Sequence, residues 1–141
     1  AIGELLREAV DPYRLGAGDR LAFTIDLAPD LPLVSVDRLL IGRAITNVIE
    51  NALHAMPGQG QLIVGAAVEG GSVVVTVRDT GVGMDEEALA RVFEPYFSTQ
   101  VGGTGLGLSI ARRVAEEHGG SISARNLDAG GLEVAITIPL I

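Results

Sequence analysis

Between Gln61 and Asp79 the chain carries two runs of alternating, largely β-branched residues, QLIVGAAV and SVVVTVRD, separated only by Glu69-Gly70-Gly71. So short a glycine-bearing link reads as an antiparallel hairpin, Gln61 to Val68 against Ser72 to Asp79. A hairpin with an apolar face must bury it, and the preceding sequence supplies the cover. From Asp37 to Met56, Ile41, Ala44, Ile45, Val48, Ile49, Ala52, Leu53 and Met56 recur at helical spacing, with Asp37 placed to cap the start and Pro57-Gly58 the end.

The remaining elements fit around this pair. Ile2 to about Tyr13 reads as a short amphipathic helix halted by Pro12 and the Gly16/Gly18 pair, and Arg20 to Ala28 as a strand. Further helices are expected from Asp85 to about Val92 and from about Gly105 to His118, and strands over Ser121 to Asn126 and Leu132 to Pro139. Helices and strands that alternate without a regular βαβ beat imply an α+β fold. The expected form is a two-layer α/β sandwich, one mixed, mostly antiparallel sheet of about five strands covered on one face by about three helices. At 141 residues there is room for one sizeable core, so residues 1–141 read as a single domain. The start at Ala1 without Met suggests a fragment of a longer protein.

Composition removes several chemistries. All ten basic residues are arginine, so there is no lysine for a phosphate loop or a Schiff base. There is no cysteine for a disulfide, thiolate nucleophile or zinc site, and His54 and His118 are too few for a histidine-rich metal centre. A net charge of −8 disfavours nucleic acid and direct contact with an anionic membrane surface. No apolar run approaches the roughly 20 residues that span a bilayer, and the N-terminus lacks a signal-peptide core, so a cytoplasmic setting is expected, or the cytoplasmic portion of a membrane-bound sensor.

Four segments look expensive for structure alone. On the long helix Asn47, Glu50, Asn51 and His54 fall on one face. That face can simply be solvated, yet asparagine is a mediocre helix former, and an amide oxygen is a suitable hard ligand for a Mg²⁺ that already carries phosphate oxygens. At the end of the second hairpin strand, Asp79 precedes Gly81 and Gly83. It is either a turn former or a carboxylate that accepts a hydrogen bond from an exocyclic amine, with the glycines letting backbone approach a flat base. Residues 102–110, GGTGLGLSI, run glycine-rich backbone into a helix start, which is either a flexible connector or an anion site built of exposed N–H groups. Finally, Phe93, Tyr96 and Phe97 cluster in a protein only 4% aromatic, as core anchors or as anchors of a mobile lid.

In order and spacing these segments resemble the catalytic ATP-binding domain of bacterial sensor histidine kinases, within the superfamily of DNA gyrase, heat-shock chaperone and mismatch-repair ATPases. The asparagine box is similar to NVIENALHAM from Asn47 to Met56, and the first glycine box to DTGVGM from Asp79 to Met84. The phenylalanine box is similar to FEPYF from Phe93, and the second glycine box to GTGLGL, with Gly103, Thr104, Gly105, Leu106, Gly107 and Leu108. Asp37-Arg38-Leu39 and His118-Gly119-Gly120 also match, and the wording around NALHAMPGQGQL is closest to the nitrogen-regulation type.

The resemblance implies that Asn51 ligates Mg²⁺, that Asn47 supports metal and phosphate, and that Asp79 binds the adenine amino group. Gly81, Gly83, Met84 and Phe93 belong to the nucleotide pocket it implies, and Gly103 to Leu108 to a phosphate cradle. Lysines that family members often carry on the phosphate side stand here as His54, a partial substitute, and Gln100; the usual G-T-x-F of the closing strand reads Gly131-Leu132-Glu133-Val134. The implied activity is donation of the ATP γ-phosphate to a histidine on a separate dimerisation domain, with a response regulator downstream. Neither histidine here fits the acceptor pattern. Two other readings stay open: an ATP-hydrolysing switch with Glu50 as base, and a non-catalytic nucleotide-sensing module.

Overall fold

A computed structural model describes residues 2–56, 58–95 and 107–140. Its elements in chain order are α1 (Ile2–Ala17), β1 (Leu21–Leu27), α2 (Arg38–His54), β2 (Gly60–Glu69), β3 (Ser72–Asp79), α3 (Glu86–Arg91), α4 (Gly107–Glu117), β4 (Ser121–Asn126) and β5 (Leu132–Pro139). The five strands form one sheet in the order β1-β2-β3-β5-β4. β1 and β2 are parallel, joined across α2, and every other pair is antiparallel. The expected α+β sandwich is thus present, with α1, α2 and α4 laid on the sheet and the short α3 beside them.

Register explains why only one face is covered. Ile25 stands opposite Val64, Val64 opposite Val77, Val77 opposite Val134 and Val134 opposite Ala124, so one row of apolar side chains crosses the whole sheet toward the helices. α2 meets this face with Ile41, Ala44, Ile45, Val48, Ile49 and Ala52, all buried. Each buried isoleucine contributes roughly 1.5–3 kcal/mol, so a charge at Ile45 would break the domain at its centre. On the opposite face Glu133 of β5 lies between Arg125 of β4 and Arg78 of β3, at 2.6 and 3.6 Å. Its side chain is only 9% exposed.

Helix ends follow their caps. Asp37 accepts from Leu40 N at 3.1 Å, and Asp85 from Ala88 N at 2.7 Å. In a capping box the third helical residue returns a bond to the cap's own N–H, but here that residue is Leu40, which cannot. His118, just past the end of α4, takes the role: its Nε2 accepts from Asp37 N at 3.0 Å, while Nδ1 lies 2.8 Å from Val114 O. With Nε2 accepting, Nδ1 is placed to donate to the Val114 carbonyl. The start of α2 is therefore tied to the end of α4, and the helices run antiparallel.

The first helix departs from expectation. It does not stop near Tyr13 but continues through Pro12 to Ala17. Proline removes one bond to the preceding turn, and tertiary contacts of the last turn outweigh that loss. Tyr13 and Ala17 pack on the core, and the Tyr13 hydroxyl donates to Glu50 Oε1 at 2.6 Å.

Candidate functional site

The candidate site is at the C-terminal end of α2, where the helix meets the end of β3. Asn47 and Asn51 lie one turn apart on a half-buried flank of α2, with His54 exposed in the last turn. Gly107, the first residue of α4, abuts Asn47, and a Cβ built on it would sit 3.8 Å from the Asn47 Cβ. The start of α4 is thereby set against the asparagine flank. Glu50 meets Tyr13 of α1, where burial and then the neighbouring Glu50 carboxylate raise the Tyr13 phenol above its ordinary range and keep it a donor. Glu50 shares the helical face of the asparagines by spacing, and its carboxylate is engaged by Tyr13 of α1.

Asp79 is 2% exposed at the end of β3. Its Oδ1 accepts from Gly81 N at 2.9 Å and from Leu132 N at 3.2 Å. Burial raises its carboxyl above the ordinary value, and the two backbone donors pull part of the way back. Oδ2 takes no hydrogen bond from the described residues. A buried carboxylate with one oxygen pinned and the other open is a fixed acceptor for a ligand N–H. Leu132, the departure noted in the closing strand, retains its backbone bond to Asp79 even though its side chain enters the core.

The loop after Asp79 is held from three sides. At Gly81 a Cβ would fall 2.3 Å from the Ala55 carbonyl oxygen, so this glycine lets the loop close on the last turn of α2. At Gly131, with φ +94°, a Cβ would fall 1.9 Å from the Asp79 carbonyl oxygen, and only glycine fits. The third hold comes from a residue the sequence reading missed. Asn126, last in β4, accepts from Met84 N at 2.9 Å through Oδ1 and donates to Met84 O at 2.5 Å through Nδ2, imitating a strand partner. Gly83, with φ +70°, leaves room for that amide. An asparagine before a glycine hairpin reads as a turn former, and its reach of 42 positions leaves no local signal.

Phe93, after α3, is partly buried against the core, in line with an anchor there, while Tyr96 and Phe97 lie outside the described residues. Of the second glycine box, Gly103, Thr104, Gly105 and Leu106 also lie outside them; Gly107 opens α4, and Leu108 is buried in the core. Among the described residues no group of three or more His, Cys, Asp or Glu could hold a metal ion. An amide oxygen such as that of Asn51 or Asn47 would fit a Mg²⁺ ion delivered with phosphate oxygens.

A family model described as histidine kinase-, DNA gyrase B- and HSP90-like ATPase matches residues 36–141, and the chain belongs to that family. The chain is 34% identical to the nitrogen regulation protein NtrY of Azorhizobium caulinodans, over 97% of its own length and 18% of NtrY. It resembles the sporulation kinase E of Bacillus subtilis at 29% identity, over 99% and 19%. It thus spans about a fifth of the curated relatives it matches. Among solved structures, the catalytic domain of histidine kinase ThkA superposes with a TM-score of 0.88 at 29% identity, over 98% of this chain and 93% of that one. Full-length ShkA in complex with AMPPNP does so with 0.84 at 28%, over 99% and 30%. No described helix is long and apolar enough to cross a membrane.

Proposed function

We propose that residues 1–141 are the catalytic domain of a longer sensor histidine kinase, which binds Mg-ATP and presents the γ-phosphate to a histidine on a separate phosphoacceptor domain. The observation that carries this is Asp79: buried, with one oxygen pinned and one open, beside the loop that closes on the asparagine-bearing helix. In this reading Asp79 Oδ2 accepts from the adenine amino group, and Gly81, Gly83, Met84 and Phe93 surround the base. Gly103, Thr104, Gly105, Leu106, Gly107 and Leu108 form the phosphate-side segment, whose backbone N–H groups would face the phosphates. Asn51 would hold Mg²⁺, with Asn47 and His54 supporting the phosphates. The bound ion would supply charge neutralisation on the phosphate oxygens.

The chain's own work is then positioning. A neutral amide at Asn47 cannot take a proton from water at neutral pH, which favours transfer to an incoming nucleophile over hydrolysis. The hydrolytic reading would need Glu50, whose carboxylate is engaged by Tyr13 on the α1 side. That contact engages the one carboxylate of the asparagine face among the described residues. Support for partners comes from ThkA, whose structure is known in complex with the response regulator TrrA and superposes with a TM-score of 0.84. A response regulator downstream and a cytoplasmic location belong to the same proposal; nucleic acid and direct membrane contact do not.

The test is phosphotransfer from γ-labelled ATP. The chain alone should acquire no stable label, and the histidine-bearing domain of its parent kinase should acquire one when added. Stable labelling of the chain itself, or steady phosphate release without any acceptor, would refute the proposal.

A further inference from the structure

A triphosphate brings several negative charges into a chain that has no lysine and a net charge of −8. Beyond the metal, charge on that scale calls for a protein cation at the phosphates, and arginine is the only permanently charged side chain available. The elements bordering the site commit nearly all of theirs. Arg20 bonds Met56 O and Gly58 O, and Arg38 pairs with Glu8. Arg91 pairs with Glu94, Arg112 with Glu116 and Arg113 with Glu117; Arg78 and Arg125 share Glu133. On α2 and α4, Arg43 alone has no hydrogen-bond or ion-pair partner among the described residues.

Its position has a direction. The proposed adenine end is at the C-terminus of α2, where Gly81 closes on Ala55 beside Asp79. A nucleotide lying along the helix from there passes Asn51, then Asn47. Arg43 is the next residue in that series, one turn further, about 6 Å along the axis and about 40° around it from Asn47. Arg43 is exposed and borders the shallow groove between α1 and α2, beside Leu39 and Gly42. No ion pair has to break for it to turn toward the asparagine flank.

Resting on the function proposed above, we propose that Arg43 is the cation that meets the terminal phosphate, so that it discriminates ATP from ADP. The test is calorimetric titration of ADP and of AMPPNP, both with Mg²⁺, on wild type, Arg43→Ala, Arg43→Lys and Arg14→Ala. Arg14 is an α1 arginine that also lacks a described partner, and it serves as the charge control. Arg43→Ala should lose about tenfold in AMPPNP affinity, the loss of one charge-assisted phosphate contact, while ADP affinity changes less than about twofold. Arg43→Lys should recover part of the loss, and Arg14→Ala should bind both nucleotides as wild type does. Equal losses for both nucleotides, or no loss for either, would overturn the inference while leaving the nucleotide site standing. A folded wild type that binds neither nucleotide would overturn the proposed function as well, a different result from the other two.

Discussion

Gly81→Ala is the sharpest test of how the loop after Asp79 is held. The added methyl would meet three atoms of Ala55 below 3.0 Å: the carbonyl oxygen at 2.3 Å, the carbonyl carbon at 2.8 Å and Cβ at 2.8 Å. All three belong to the C-cap of α2, whose N–H is committed to the preceding turn, so no flexible side chain can yield. Relief requires moving the loop or the helix end. The expected cost lies in the upper part of the overpacking range, about 2 to 3 kcal/mol. For a domain of this size that corresponds to a fall in Tm of about 5 to 10 °C. Gly71→Ala is the matched control, since a Cβ there meets nothing within 4 Å and its φ is not left-handed. Thermal unfolding by circular dichroism reads both. A Gly81→Ala protein melting within about 1 °C of the Gly71→Ala control would refute the claim that this glycine exists for the approach to α2.

Three further outcomes follow from named contacts. Asp79→Asn should keep or raise stability at neutral pH: a buried acid whose carboxyl is raised on folding stabilises fully when protonated and loses that contribution as pH rises through its raised range, a loss the amide avoids. The gap in Tm between variant and wild type should therefore narrow as pH falls below the ordinary carboxylate range, and a gap that widens would contradict the burial argument. Glu133→Ala, which leaves Arg78 and Arg125 facing a vacated position across β5, should cost about 1 kcal/mol in urea unfolding and less in high salt. His118→Ala should cost about 0.5 to 1.5 kcal/mol, because Asp37 N loses its acceptor, and the loss should be smaller for His118→Gln, which can still accept.

Much of this fold was legible because its signals are local. The two-residue period of Ser72 to Asp79, the cap at Asp37 and the apolar stripe of α2 each declare an element without reference to the rest of the chain. β4 and β5 also have the expected bounds. Illegible were the features that depend on distant partners. The run of α1 past Pro12 goes with Tyr13 reaching Glu50, 37 positions away, and Asn126 acquires its role only when β4 lies beside the loop at Met84. Spacing placed Glu50 on the asparagine face, but helical angle alone does not say that Tyr13 of α1 engages it. For the site, the residue types at Asn47, Asn51 and Asp79 suggested the chemistry, while the close packing of Gly81 against Ala55 had no local signal.

The central claim is that Asp79 and Asn51 serve one nucleotide, the first at the base and the second through its metal. Calorimetric titration of ADP with and without Mg²⁺, on wild type, Asp79→Asn and Asn51→Ala, tests it most directly. Asp79→Asn should weaken binding in both conditions, and Asn51→Ala should remove the gain from Mg²⁺ while leaving metal-free binding near wild type. Unchanged affinity in a folded Asp79→Asn protein would contradict it.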